Sequence, residues 1–239
     1  MVTLRDEAGA FEVTVLEAPD PKCVALFAAG RGGDPARHRG LLEALQASGA
    51  LVIAPHVEFL SDPRPSADHL QTRARRLALA VERCGGPGLR VHGVGHSIGG
   101  TVLLALAGAQ AWLSAEQPLA MPRLAALSSM TLLAPALGFF QAPAAFAAVT
   151  ATVSLWWGTA DAVCPRAHVD LAIAQLGSRA KLRVAEGADH FSFMHTRPPN
   201  APEPLPDRER FLAELTASVI SDAARGLLTA PVVADAVGG

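Results

Sequence analysis

The chain has 239 residues, half of them hydrophobic and 18% charged, with a formal net charge of −2 at pH 7. That length suits one domain, residues 1–239, and so much apolar surface can offset the entropy of ordering, which excludes a disordered chain. The near-neutral charge gives no electrostatic footprint for nucleic acid, so a small-molecule partner is expected.

Residues 1–17 carry Arg5, Asp6, Glu7 and Glu12 where a signal peptide would have an apolar run. The three cysteines, Cys23, Cys84 and Cys164, are odd in number and form no CxxC pair. Together these features predict reduced thiols in a cytoplasmic protein.

Residues 11–16 alternate apolar and polar, as a half-exposed edge strand does. Residues 24–29, 51–54 and 89–94 are nearly continuous apolar runs, as expected of strands covered on both faces. Between them, residues 37–47 put Leu41, Leu42 and Leu45 on one helical face, and residues 69–83 do so with Leu70, Leu77 and Val81. Gly49 and Gly85 mark where these helices stop. Residues 101–109 read as a further helix.

Residues 124–160 contain no Asp, Glu, Lys, Arg or His. Pro135, Gly138 and Pro143 cut this stretch into runs shorter than the ~20 residues of a spanning helix, so no membrane span is predicted. Two buried strands, near 130–133 and 153–157, account for it instead. A strand near 182–184 and helices over 167–176 and 207–227 follow, with the proline-rich residues 197–206 as a loop. This alternation predicts an α/β fold with a mostly parallel sheet and helices on both faces, whose sites lie at the carboxyl ends of strands.

Gly95-His96-Ser97-Ile98-Gly99 lies between a predicted strand and a predicted helix. Such a turn lifts a serine oxygen above the sheet, and its glycines remove side chains that would collide with strand and helix. A serine hydroxyl needs a base to take its proton and a carboxylate to orient that base. Asp161 follows the strand ending at Trp157, and His190 follows the next strand, so the order Ser97, Asp161, His190 suits this architecture. Asp170 falls within a helix and Asp189 adjoins His190, which disfavours both as the orienting acid; His195 is the rival base. Two backbone amides should face a developing oxyanion. Ile98 supplies one, and the glycine-rich turn Gly30-Arg31-Gly32-Gly33 supplies the second through Arg31.

Other chemistries lack their residues. The glycines near residue 95 do not complete a dinucleotide fingerprint, and no Walker GK[ST] occurs. His92 and His96 sit on a strand and turn without the glutamate of HExxH. No metal and no cofactor are expected.

At these residues the chain resembles the α/β-hydrolase superfamily along nearly its whole length. Gly30-Arg31-Gly32-Gly33, Gly95-His96-Ser97-Ile98-Gly99-Gly100 and Asp189-His190-Phe191-Ser192-Phe193 are similar to the predicted dienelactone hydrolase group, related to chlorophyllases and platelet-activating-factor acetylhydrolases. The resemblance implies a serine esterase on Ser97, Asp161 and His190, needing neither metal nor cofactor. Enzymes named dienelactone hydrolase in the strict sense use cysteine where Ser97 stands, so their substrate is not implied.

Residues 137–150 leave room only for a minimal cap. Phe139, Phe140, Phe146, Trp156 and Trp157 are expected in the core by burial preference. The uncharged residues 137–157 also offer an apolar wall, which points to small or medium apolar esters. The rival readings are a non-catalytic ligand-binding protein on the same fold, and a cofactor-free lyase or acyltransferase.

Overall fold

The runs without polar residues form the middle of one sheet. In a computed structural model describing residues 1–62 and 64–226, β3 (Cys23–Ala28), β4 (Ala50–Pro55) and β5 (Val91–His96) are buried at every position. Together with β1 (Val2–Asp6), β2 (Gly9–Leu16), β8 (Leu127–Leu133), β9 (Thr152–Gly158) and β10 (Ala180–Ala185) they make an eight-stranded sheet, ordered β1-β2-β4-β3-β5-β8-β9-β10. The six strands from β4 to β10 run parallel, and β1 and β2 pair antiparallel.

Helices cover both faces, as the alternation predicts. On one face, α1 (Arg39–Ala47) and α5 (Arg208–Gly226) bury Leu41, Leu42, Leu45, Leu212, Leu215 and Val219 against the sheet. On the other lie α2 (Ala67–Cys84), α3 (Ile98–Leu106) and α4 (Arg166–Leu176). The expected last residue of the final helix, Leu227, lies outside the described residues.

Three expectations are corrected. Burial alternates only from Phe11 to Val13, and β1 pairs outside β2 and takes the edge. The strand expected over 89–94 runs Val91–His96, reaching the serine, because the β3 and β8 ladders extend to Gly95 and His96. A small hairpin of β6 (Ala111–Ser114) and β7 (Gln117–Leu119) was not expected; its strands are too short to show a period.

The apolar wall expected from residues 137–157 is also mostly interior. Phe140 and Phe146 are fully buried with ring centroids 5.2 Å apart, and Trp157 is buried in the same cluster. The reason is the hydrophobic effect: a stretch without charge covers the sheet in preference to lining a wet cleft. Among the described residues, no helix is long and apolar enough to cross a membrane.

Candidate active site

Register brings the strand ends to one level. Gly95 pairs with Ala28, His96 with Leu133, Leu133 with Trp156 and Gly158 with Ala185. The residues that follow these ends therefore share one rim of the sheet, where Ser97, Asp161 and His190 meet.

Ser97 stands between β5 and α3 at φ 54° and ψ −121°, a backbone region that non-glycine residues seldom occupy. The turn closes because Gly99 packs on β3, where a Cβ would lie 2.0 Å from the Ala28 carbonyl oxygen. Further bonds, from the Ser97 amide to Leu133 O at 3.0 Å and from the Ala136 amide to Ser97 O at 3.1 Å, fix the serine over the sheet. Asp161 and His190 lie on loops that approach just as closely. A Cβ on Gly158 would sit 2.1 Å from Ala188 O, and the Ala160 amide donates to that oxygen at 3.0 Å.

The three side chains form one line. Ser97 Oγ lies 3.0 Å from His190 Nε2, and His190 Nδ1 lies 3.0 Å from Asp161 Oδ2. All three residues are buried. Burial pushes the Asp161 carboxyl up, but the His190 hydrogen bond and charge and the Cys164 and Val163 amides outweigh it, leaving the group below its ordinary value. An ionised carboxylate only accepts, so Nδ1 of His190 carries the proton and Nε2 is free to accept from the serine hydroxyl. Asp161 is a turn residue as well, since Oδ1 accepts from the amides of Val163 at 2.7 Å and Cys164 at 2.9 Å.

The rival groups lie outside this line. Asp189 Oδ1 accepts from the amides of Phe191 and Ser192, and Oδ2 lies 2.6 Å from Arg197. That clamp shapes the loop carrying His190. Asp170 pairs with Arg166 one turn away on α4. His195 is half-buried, and its ring lies where a Cβ on Gly40 would stand. His92, on β5, bonds Ser129 and Thr131 at the opposite end of the strand from Ser97. A cavity of about 240 Å³ opens there, beside His92 and Asp222, and holds none of the three aligned residues.

Of the two expected amide donors, Ile98 begins α3 and so carries one of the free N–H groups of a helix start. Arg31 turns its side chain away, Nε donating to Leu60 O at 2.5 Å and Nη2 to Ser61 O, so only its backbone can serve the site. Its neighbour Gly30 packs on the serine: a Cβ there would be 3.4 Å from Ser97 Cβ.

Ligand atoms of Asp161, Cys164 and His190 lie within 4.8 Å of one another, a set that could hold a metal ion. The donor chemistry argues against it. Burial and the Asp161 carboxylate push the Cys164 thiol far up, and the protonated sulfur donates to Ala134 O at 3.1 Å. Asp161 Oδ2 and His190 Nδ1 are already joined to each other.

The sequence suggested His96 only as a metal ligand and did not point to Arg73. His96 Nε2 lies 3.0 Å from His190 O, and its signal was its place inside the glycine motif. Arg73, like Arg76, is buried on α2; its signal was a charge midway between Leu70 and Leu77.

No family model and no curated protein matches the chain. Solved structures do. A protein of unknown function from Agrobacterium tumefaciens superposes with a TM-score of 0.69 at 16% identity, covering 95% of this chain and 96% of that one. A dienelactone hydrolase from Anabaena variabilis gives 0.67 at 19% identity over 94% and 95%. Esterase 2 of Thermogutta terrifontis, phosphoramylated by tabun, gives 0.63 at 18% identity over 95% and 94%. The fold of this chain is that of the α/β hydrolases.

Proposed function

On this α/β-hydrolase fold, we propose that the protein is a serine hydrolase of carboxylic esters working through an acyl-enzyme. The observation that carries the reading is the unbroken line from Ser97 Oγ through the His190 ring to Asp161. Ser97 Oγ attacks the ester carbonyl carbon while His190 Nε2 takes its proton, and Asp161 stabilises the imidazolium that forms. The amides of Ile98 and Arg31 hold the carbonyl oxygen as it gains charge. Collapse breaks the ester C–O bond, and His190 gives its proton to the departing alcohol. Water then attacks the acyl carbon, losing a proton to His190, which returns it to Ser97 as the carboxylic acid leaves.

Ala136, partly exposed and bonded through its amide to Ser97 O, gives the serine an uncharged neighbour, which supports small to medium apolar esters. The esterase and dienelactone hydrolase activities named for similar folds support a hydrolase. No metal and no cofactor enter this scheme. Three unpaired thiols suit a cytoplasmic location. The test is hydrolysis of p-nitrophenyl esters of increasing acyl length by wild type and Ser97→Ala: activity is expected in the first and its loss, with an unchanged circular dichroism spectrum, in the second. Equal activity in both overturns the reading.

A further inference from the structure

Resting on the serine-hydrolase reading above, we propose that Arg73 is a positioning residue that sets the backbone of the oxyanion loop. It stands on the core face of α2 between Leu70, Ala74 and Leu77, and only 4% of it is exposed. Burying a guanidinium there costs several kcal/mol unless its donors are satisfied. The satisfaction comes from main-chain carbonyls alone. Nη1 donates to Gly30 O at 2.9 Å and Ala29 O at 3.2 Å, and Nη2 to Glu58 O at 2.5 Å and Arg31 O at 3.4 Å. Burial lowers the group to about 10 against the opposing charge of Glu58, so it keeps its charge at neutral pH.

Three successive carbonyls of one loop thus converge on a single cation. In a planar trans peptide the N–H points opposite to the C=O, so each of these contacts also aims an amide. The Gly30 carbonyl drawn to Arg73 turns the Arg31 N–H away from the guanidinium, in the loop segment that packs on Ser97. Residues 30–33 include three glycines, whose backbone has little preference of its own; the Gly33 amide bonds Gly30 O at 3.1 Å and the Leu60 amide bonds Arg31 O at 3.0 Å, and Arg73 adds the one charged donor that ties the Ala29, Gly30 and Arg31 carbonyls together. Arg73 contacts no reacting atom; it acts through the peptide planes it fixes.

The experiment compares wild type, Ser97→Ala, Arg73→Met and Arg73→Lys on p-nitrophenyl butyrate, with inhibition by a trifluoromethyl ketone that forms a tetrahedral adduct. For folded Arg73→Met, kcat should fall about 100-fold with KM little changed, and the ketone should bind weaker by a similar factor, as for loss of an oxyanion donor. Arg73→Lys keeps the charge and should recover part of kcat. If Arg73→Met does not fold, the Lys variant carries the test, with kcat expected well below wild type at unchanged KM. A folded variant with wild-type kcat and ketone affinity, or a loss confined to thermal stability, overturns the Arg73 proposal alone. A wild type that turns over no ester overturns the hydrolase reading and this proposal with it.

Discussion

His96 Nε2 lies 3.0 Å from the carbonyl oxygen of His190. A carbonyl only accepts, so His96 is the donor and holds its proton on Nε2. Burial first, and the nearby His190 charge second, lower its pKa to about 3, which keeps the ring neutral in this role. Replacing it with Leu strands a buried carbonyl, which costs about 1–3 kcal/mol. Urea unfolding should show that loss for His96→Leu, with His96→Gln, which retains a donor, recovering most of it. A leucine variant as stable as wild type would show that the bond contributes nothing.

Buried neutral histidines also make stability depend on pH. Burial lowers His92 to about 4 and His96 to about 3, and His38 is held well below its ordinary value. Well above pH 6.5 these rings are neutral in both folded and unfolded chains. As pH falls, the unfolded chain takes up protons that the folded one refuses, so stability drops through a window reaching down to those lowered values. Each ring contributes up to about 1.4 kcal/mol per pH unit. Unfolding free energy should therefore be several kcal/mol lower at pH 5 than at pH 7. His38 has no hydrogen-bond partner for either ring nitrogen among the described residues, and His38→Leu should flatten the slope. Equal stability at the two pH values contradicts the assignment.

The two neighbouring acids should separate by readout. Asp161→Asn favours the wrong tautomer of His190 and should lower kcat by about 10⁴ with little effect on folding. Asp189→Asn weakens the clamp to Arg197 and should appear chiefly as a lower unfolding midpoint. Steady-state kinetics beside thermal melts distinguishes them, and equal kcat losses would remove the basis for choosing Asp161.

Metal should inhibit, not activate. Zinc bound by Asp161, Cys164 and His190 would take the atoms that align the base. Preincubation with a chelator is expected to leave ester hydrolysis unchanged, and added zinc to lower it reversibly. A chelator-induced loss restored by zinc would point to metal chemistry at this cluster.

Much of this was legible in the sequence where one signal had one cause. The glycines of residues 95–99 announce a turn that only small residues allow, and Asp161 and His190 betray themselves by following strands. Arg31 could be proposed only as part of a glycine-rich turn, because a backbone amide leaves no mark in side-chain type. Phe140 and Phe146 show the limit of composition: an uncharged run suits a core and a pocket equally, and here the core has them. Arg73 and His96 were hidden because their partners are carbonyls, which every residue has. Such partners are fixed by packing, not by pattern.

The most direct test of the account is covalent labelling with a fluorophosphonate, read by intact mass and peptide mapping. The Ser97 hydroxyl, 3.0 Å from His190 Nε2, should be the one that reacts. One adduct per chain is expected, mapped to Ser97, absent in Ser97→Ala and strongly slowed in His190→Ala. Adducts on another residue, or an unlabelled wild type of native fold, would contradict it.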